Sequence, residues 1–465
     1  MTLRTRNLIF ITLIISFLII APLTVLYSLG WRFDWENKKV FQTGIFYFKA
    51  WPKSADVYIN GVSKDKTDMF FGSALVDNLI PKEYEIEIKK EGYHSWTKFL
   101  KIEKKEVTEA KNITLIPENP NLNILIENVE DLFFSPDNKE IITLEMNKDN
   151  WELKLFDLKN NLKSHLVKET DFSTKGVELF NLTFSLDSKR ALLELGLKEK
   201  LIYYILEIDK SPIIINKLDY LDSVEEIYFH PKDENKLFIV QTIIEKKLSI
   251  KTLNEVDFEN KEILAPLFEN VTTTLITDNN IYYLNNSGSL FKANLSGEKP
   301  EKLNILSFPY KEETKYEIIV SNSNVFLKES NDLYLLNEDT KSFKKVYDSL
   351  KGYEFSPDRN KITYYNKNEI KVLFLEQQYD HPTKEKLEEL FINRFSEEIT
   401  RVFWYTNHYL IFDLGDKIKV AELDNRGKMN IVNLIEMKHS DFFFNNKRLY
   451  LLSENTLYSS SDLTP

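Results

Sequence analysis

The chain has 465 residues, of which 72 are Asp or Glu, 61 are Lys or Arg, and none is Cys. This length allows two to four domains with large cores. An aromatic content of 13% with only 12 Gly residues excludes collagen-like chains and chains that are disordered throughout. The net charge of -11 argues against a general nucleic-acid-binding surface. Because Cys is absent, disulfide bonds, thiolate catalysis and zinc–thiolate sites are excluded as well.

The N-terminal part carries an apolar segment, residues 8–31, that contains no charged residue. About 20 helical residues span a hydrocarbon core of roughly 30 Å, so residues 1–31 are predicted to be a short cytoplasmic tail and a transmembrane helix. Arg4 and Arg6 precede the segment and place the N-terminus in the cytoplasm, with the bulk of the chain extracytoplasmic. We therefore expect a single-pass cell-membrane protein. A cleaved signal peptide, with residues 28–30 as its small-x-small site, is the alternative.

Residues 32–117 alternate apolar and polar side chains in the manner of β-strands. In residues 84–89, the apolar side chains face one way and the charged side chains face the other. Asn60-Gly61 lies between two such stretches and predicts a hairpin turn. Trp96 is expected to pack on the core. The pattern predicts a small antiparallel β-sandwich or sheet.

This segment resembles the PEGA family of small extracytoplasmic β-modules. The matching residues form three groups, which are Pro52-Lys53-Ser54-Ala55 with Val57, Ile59, Asn60 and Gly61; Pro81-Lys82-Glu83-Tyr84; and Lys89-Lys90-Glu91-Gly92-Tyr93 with Trp96. The family pattern favours Gly at the positions of Ser54 and Glu83. The resemblance implies a structural module without catalytic residues, and hence a spacer between the membrane anchor and the rest of the chain.

Residues 118–465 contain a repeated pattern that consists of an apolar strand, a polar turn, a Lys or Arg, and a second apolar strand. Clear copies occur at residues 132–145, 182–195, 227–241 and 353–366, and four weaker copies complete the set. The apolar residues just before the turns are Phe134, Phe184, Phe229, Ile276, Val320, Phe355, Trp404 and Phe444. They lie 35 to 50 residues apart, which is the length of a propeller blade.

The repeats predict an eight-bladed β-propeller, with seven blades as the alternative count. The last repeat lacks one strand, and residues 122–128 are predicted to supply it as the outer strand of the last blade. The Ser-Pro-Asp turns at residues 135–137 and 356–358 resemble those of TolB-type and WD-repeat-like propellers. That resemblance implies the fold and the binding of proteins or glycans in the cell envelope. The turn residues Asp137, Asp187 and Asp358 are interpreted as structural.

The sixth repeat contains an insertion, residues 380–398, whose spacing is that of an amphipathic helix. Leu387, Leu390 and Phe391 fall on one face of that helix. We expect a short helix that covers its own blade, and a recognition surface is the alternative.

No catalytic, cofactor-binding or metal-binding residue is predicted. The six histidines have no partner at metal-ligand spacing; they are His94, His165, His230, His381, His408 and His439. Glu225-Glu226 and Glu397-Glu398 are interpreted as solvated loop charges. We expect a non-enzymatic platform for an envelope protein or glycan, with no cofactor and no nucleic-acid partner. An enzyme that acts on a cell-wall glycan or peptide through dispersed carboxylates is the alternative, and the ligand and oligomeric state stay open.

Overall fold

A computed structural model of the chain describes residues 3–34, 38–147, 150–172, 176–198, 200–221, 223–245 and 248–464, without the side chains of Arg4, Asp34 and Glu245. The chain forms two compact units. The first unit comprises Met1–Leu122, Glu354–Leu449 and Ser460–Pro465. The second unit comprises Asn123–Tyr353 and Tyr450–Ser459.

The N-terminal helix α1 (Leu3–Ser28) is long and apolar enough to cross a membrane, and no residue of its apolar stretch is buried. Thr12 and Thr24 donate their hydroxyls to carbonyls four residues earlier in the helix, so these polar groups are satisfied within it. A hairpin of β1 (Trp31–Asp34) and β2 (Lys39–Gln42) follows. The predicted helix is therefore present at the predicted place.

A module of two sheets comes next. The first of these sheets has the order β6-β3-β9, with β3 (Gly44–Trp51), β6 (Ser73–Leu79) and β9 (Val107–Thr114). The second has the order β5-β4-β7-β8, with β4 (Asp56–Ile59), β5 (Val62–Lys66), β7 (Glu83–Lys89) and β8 (Trp96–Lys101). Apolar side chains of both sheets form one core between them, as predicted for a sandwich.

Details of the module agree with the sequence pattern except in one respect. Asn60 and Gly61 form the turn between β4 and β5 with φ of 50° and 74°, and Trp96 is buried in the core. Ser54 has a φ of 60°, a conformation that Gly adopts without strain. The prediction of a wholly antiparallel module was wrong, because β3 and β9 pair in parallel. A parallel pair needs a crossover connection, and the intervening second sheet provides it.

Eight four-stranded sheets lie in the described part of residues 122–460. Seven consist of consecutive strands: β11 (Val129–Phe134), β12 (Glu140–Asn147), β13 (Asn150–Asp157), β14 (Leu162–Lys168); β15 (Glu178–Phe184), β16 (Arg190–Leu197), β17 (Lys200–Glu207), β18 (Ile214–Lys217); β19 (Val224–Phe229), β20 (Lys236–Glu245), β21 (Leu248–Asp257), β22 (Glu262–Glu269); β23 (Val271–Ile276), β24 (Asn280–Asn285), β25 (Leu290–Asn294), β26 (Glu301–Lys302); β27 (Tyr316–Ser321), β28 (Asn324–Glu329), β29 (Asp332–Leu336), β30 (Phe343–Tyr347); β31 (Gly352–Phe355), β32 (Lys361–Tyr365), β33 (Glu369–Phe374), β34 (Glu389–Arg394); and β35 (Val402–Thr406), β36 (Tyr409–Asp413), β37 (Lys417–Glu422), β38 (Ile431–Glu436). A 3₁₀ turn, Glu169–Asp171, follows β14.

The eighth sheet combines strands from both ends of the repeat region. Its order is β10-β41-β40-β39, with β10 (Leu122–Glu127), β39 (Asp441–Asn445), β40 (Arg448–Ser453) and β41 (Thr456–Ser460). The prediction that residues 122–128 complete the last sheet is confirmed, as is the count of eight rather than seven within the described residues. Seven of the predicted apolar anchors lie in the first strands of the seven consecutive sheets, and Phe444 lies in β39 of the eighth; all eight sheets are open and of the propeller type.

The helix predicted within residues 380–398 is wrong. The segment instead contains β34, which pairs with β33 and alternates buried Leu390 and Ile392 with outward-facing Phe391. Leu387 has a φ of 63°, which no α-helix contains. The period of two is carried by Leu390 and Ile392 instead, and pairing with β33 selects the strand over the helix.

Candidate functional site

The Asp residues of the repeated turns hold their own backbone. Asp137 Oδ1 accepts the Ser135 hydroxyl at 2.8 Å and the Lys139 amide at 3.1 Å, while Ser135 Oγ accepts the Glu140 amide at 3.0 Å. Hydrogen bonds lower the pKa of Asp137 to about 2, first among them that from the Lys139 ammonium and then those from the Ser135 hydroxyl and the Lys139 amide. Ser185 donates to Asp187, and Ser356 to Asp358, in the same manner. These carboxylates serve the turns, as interpreted from the sequence.

Four of the six histidines contact backbone groups or carboxylates, and the other two, His381 and His408, line one pocket of the first unit. His94 pairs with the Asn433 carbonyl, and His165 pairs with the Glu152 carboxylate. His230 accepts amides of its own turn, and His439 pairs with the Met437 carbonyl beside Asp413. His381 precedes Pro382, and His408 lies in the turn between β35 and β36. Burial lowers the pKa of His408 to about 4, so this ring is neutral at neutral pH. No group of three metal-ligating side chains occurs among the residues that the structure describes.

The acidic pairs considered from the sequence make separate hydrogen bonds. Glu225 accepts the Thr242 hydroxyl and the Lys251 ammonium, both at 2.6 Å. Glu397 accepts the Ser396 hydroxyl at 2.6 Å, and Glu398 has a partner as well. Glu225 and Glu397 are therefore surface groups with local partners, as interpreted.

Glu226 belongs to a carboxylate–tyrosine cluster on first strands of the second unit. It accepts the Tyr228 hydroxyl at 2.6 Å, and Glu317 accepts the Tyr353 hydroxyl at 2.6 Å and the Lys328 ammonium at 3.0 Å. Burial and the charges of Glu226 and Glu317 raise the pKa of Tyr228. The cluster is thus a set of mutually satisfied polar groups with two acidic members.

In the first unit, one side of the module packs on the seventh repeat sheet through a buried ion pair. Lys98 Nζ lies 2.5 Å from Glu422 Oε1, and both side chains are almost completely buried. Trp96 Nε1 donates to the other oxygen of Glu422 at 2.7 Å, and Lys98 also donates to the carbonyls of Asp424 and Lys428. Burial raises the pKa of Glu422, an effect that the Lys98 ammonium opposes.

We call this contact the docked face, and further hydrogen bonds surround its ion pair. They join Asn430 Nδ2 to the Thr97 carbonyl, Arg426 to the Glu109 carbonyl, Thr114 N to the Tyr409 hydroxyl, and His94 Nε2 to the Asn433 carbonyl. The polar groups at the contact thus have partners with ordinary geometry. The docked face fixes the module on the sheet, whereas the sequence predicted only a spacer.

Another part of the module, residues 68–72, presents three consecutive large apolar side chains to solvent. Met69, Phe70 and Phe71 are 73%, 78% and 75% exposed. We call this loop the finger. The Asp68 carboxylate accepts the amides of Phe70, Phe71 and Ser73 and the Ser73 hydroxyl at 2.5 to 2.8 Å. These bonds, first among them that from the Phe71 amide, lower the pKa of Asp68.

A hydrogen bond and a steric restriction also define the conformation of the finger. Lys53 Nζ donates to the Phe70 carbonyl at 2.6 Å. Gly72 has a φ of 69°, and a Cβ at this position would lie 2.5 Å from the Ala50 carbonyl oxygen, so only Gly fits. The loop is a tightly bonded turn that nevertheless leaves its largest side chains outside the core.

A groove of about 370 Å³ adjoins the finger. Its lining consists of Lys49, Ala50, Trp51, Lys53, Phe71, Lys111, Asn112, Ile113 and Thr114 of the module with Thr406, Asn407 and His408 of the seventh sheet. The groove therefore combines two large aromatic side chains with three Lys residues. Such a mixture of an apolar floor and a few charged groups is typical of binding sites.

Reasoning from the sequence did not find the finger or the groove. The signal was present, because Asp68-Met-Phe-Phe-Gly72 places a large apolar run between two turn-forming residues, where a core-facing strand is not expected. The groove had no sequence signal, since its walls come from residues more than 290 positions apart.

No protein-family model and no curated protein matches the sequence. Among solved structures, the chain is similar to Sqt1 of Saccharomyces cerevisiae, at 8% identity and a TM-score of 0.44 over 75% of this chain and 98% of that one. It is also similar to the WD40 domain of SCAP from fission yeast, at 10% identity and a TM-score of 0.43 over 74% and 98%. The oligogalacturonate lyase of Vibrio parahaemolyticus follows, at 11% identity and a TM-score of 0.40 over 67% and 92%. The assignment of the fold rests on the sheets described above.

Proposed function

We propose that the chain is a single-pass membrane protein of the cell envelope, whose extracytoplasmic part is a non-enzymatic platform that binds a protein or a glycan. Residues 1–31 are its anchor, residues 32–117 a PEGA-like module, and residues 118–465 the propeller. The N-terminal helix, the basic residues before its apolar stretch and the absence of catalytic motifs in the sequence support this proposal.

The observation that carries the proposal is the unbroken series of contacts from the helix to the seventh sheet. The Gly30 carbonyl accepts the Thr43 amide at 2.9 Å, and Arg32 donates to the Tyr27 carbonyl and to Asn78 of the module. The docked face continues the series to Glu422. A platform held at a fixed place relative to its anchor suits display better than a freely hinged domain does.

An enzyme that acts on a cell-wall glycan or peptide is the second candidate, and the carboxylate–tyrosine cluster of Glu226, Tyr228 and Glu317 favours it. A general acid or base must reach a substrate proton. Here, however, both carboxylates already accept hydrogen bonds from Tyr or Lys. A catalytic role would require these hydrogen bonds to break first, whereas a binding platform does not require it.

The location of the chain is tested by labelling with a membrane-impermeant maleimide, because the natural sequence has no Cys that would react. Intact cells or spheroplasts that express Ser349→Cys should be labelled at once. Cells that express Thr2→Cys should be labelled only after lysis. The reverse pattern would overturn the proposed orientation, and loss of the N-terminal Cys from the mature chain would indicate cleavage.

The class of function is tested with the full chain in lipid nanodiscs and a set of cell-wall glycan and peptide fragments. We expect no chemical turnover of these fragments. Turnover that is abolished by Glu317→Gln and retained in Glu225→Gln, a matched surface carboxylate, would establish the enzyme instead.

A further inference from the structure

The finger exposes an unusual amount of apolar surface in an ordered form. Three side chains of this size, each about three-quarters exposed, present roughly 400 Å² of apolar area, which is as large as the patches that mark interaction sites on monomers. Four hydrogen bonds to Asp68 and one from Lys53 fix the loop before any partner arrives. A loop that is ordered in advance loses little conformational entropy on binding.

The groove beside the finger has a positive rim although the whole chain has a net charge of -11. Lys49, Lys53 and Lys111 line it, and the described lining residues include no Asp or Glu. Lys111 contacts Glu109 at 2.6 Å, and Lys53 contacts the Phe70 carbonyl, whereas Lys49 is exposed. The local charge therefore complements an acidic ligand.

The finger also lies away from the membrane helix along the module. Strand β6 begins at Ser73 beside the finger and reaches Asn78, which contacts Arg32 of β1, shortly after the helix. Five steps along a strand cover roughly 17 Å. The groove is concave, and one wall comes from the seventh sheet. Both features fit a peptide better than a flat lipid surface.

We infer that the finger and its groove bind an extended acidic segment of a partner protein, with a large apolar side chain of that segment seated against Trp51 and Phe71. Met69 and Phe70 cover the segment from the module side, and Lys49 and Lys53 attract its carboxylates. This inference rests on the proposed platform function and specifies its ligand as a protein segment rather than a glycan.

The test is a selection of phage-displayed random dodecapeptides on the full chain in nanodiscs. The selected peptides should combine Asp or Glu with an aromatic or large aliphatic residue. Their affinity should fall at least tenfold for the double variant Phe70→Ser/Phe71→Ser and about threefold or more for Lys49→Glu. The matched control is Ile305→Ser/Leu306→Ser, which removes two adjacent apolar side chains of similar exposure from the second unit and should leave the affinity unchanged.

Other results of this experiment would count against the inference, the platform or both. Peptides that bind the finger variant as well as the natural chain would overturn the inference but leave the platform intact. A failure to select any peptide would count against the inference, and a failure to bind the glycan fragments as well would count against the platform. Finger-dependent flotation of the nanodiscs with added vesicles of phosphatidylglycerol and phosphatidylcholine would assign the finger to lipid instead. Equal thermal melting of all variants is the control for folding.

Discussion

The docked face and the finger belong to the same small module and use similar side chains, yet only the docked face is covered. At the docked face, Trp96 and Lys98 are buried, and both contact Glu422. At the finger, Phe70 and Phe71 are exposed, and Lys53 donates to the Phe70 carbonyl. The docked face shows what a complete interface looks like in this molecule. At the finger, no carboxylate among the described residues is paired with Lys53 in the way that Glu422 is paired with Lys98.

The difference also separates two uses of an Asp-centred turn. In the repeat sheets, the hydrogen bond from Ser356 to Asp358 closes a turn that leads into the buried strand β32. In the finger, Ser73 and Asp68 make an equally short bond, at 2.5 Å, but the residues that they order face solvent. The first arrangement stabilises the fold, whereas the second prepares a surface. A comparison of unfolding free energy with peptide affinity separates these two uses.

The largest loss of stability is expected for Lys98→Met at the docked face. Removing the ammonium leaves the Glu422 carboxylate buried without its counterion, which typically costs about 3–5 kcal/mol of unfolding free energy. Denaturant unfolding of the full chain in detergent measures this change. Lys89→Met, which breaks the solvent-facing pair with Glu87, is the control and should change the free energy little, because water screens this pair. Equal effects would show that the docked face does not stabilise the unit.

Glu354 gives the sheets next to the docked face a pH-dependent stability. Burial raises its pKa to about 7, so the folded chain holds a proton that the unfolded chain releases above pH 4.5. Stability should therefore decrease as the pH rises from about 4.5 to 7 and stay level above that range. In unfolding experiments at pH 8, Glu354→Gln should be about 1–3 kcal/mol more stable than the natural chain, with no difference near pH 4. A parallel pH dependence of both proteins would contradict this account.

Two serine substitutions distinguish the two Asp-centred turns. Ser356→Ala removes a buried hydroxyl that donates to Asp358 and accepts the Lys361 amide, and it should cost about 1–2 kcal/mol of unfolding free energy. Ser73→Ala removes the matching bond to Asp68 and should change stability less, while it lowers the affinity for selected peptides. Titration calorimetry and thermal melting measure the two quantities. A Ser73→Ala variant that loses stability and keeps its affinity would assign the finger to the fold.

Most of the fold could be predicted from the sequence because repeated local patterns specify it. The apolar anchors from Phe134 to Phe444 recur at the length of a propeller blade, and Asn60-Gly61 predicts the turn that it forms. The spacing of apolar residues around Leu390 predicts a helix, but Leu390 and Ile392 share a strand face once β34 pairs with β33, and no local pattern shows that pairing. Similarly, the parallel pairing of β3 with β9 depends on a crossover that no local pattern encodes.

The candidate site was far less predictable. Lys98 and Glu422 are separated by more than 320 positions, and nothing in either local sequence indicates that they meet. The groove has the same difficulty, since Phe71 and His408 share it only after the module has docked. The finger is the exception, because three large apolar residues between Asp68 and Gly72 are unusual in a turn.

The most direct test of the platform is photo-crosslinking in cells at the finger itself. Full-length chains carry Phe70→p-benzoylphenylalanine or, as the exposed apolar control, Ile305→p-benzoylphenylalanine. We expect a discrete protein adduct at position 70 that an excess of a selected acidic peptide suppresses, and no such adduct at position 305. An absence of adducts at position 70, or equal adducts at both positions that the peptide does not suppress, would contradict it.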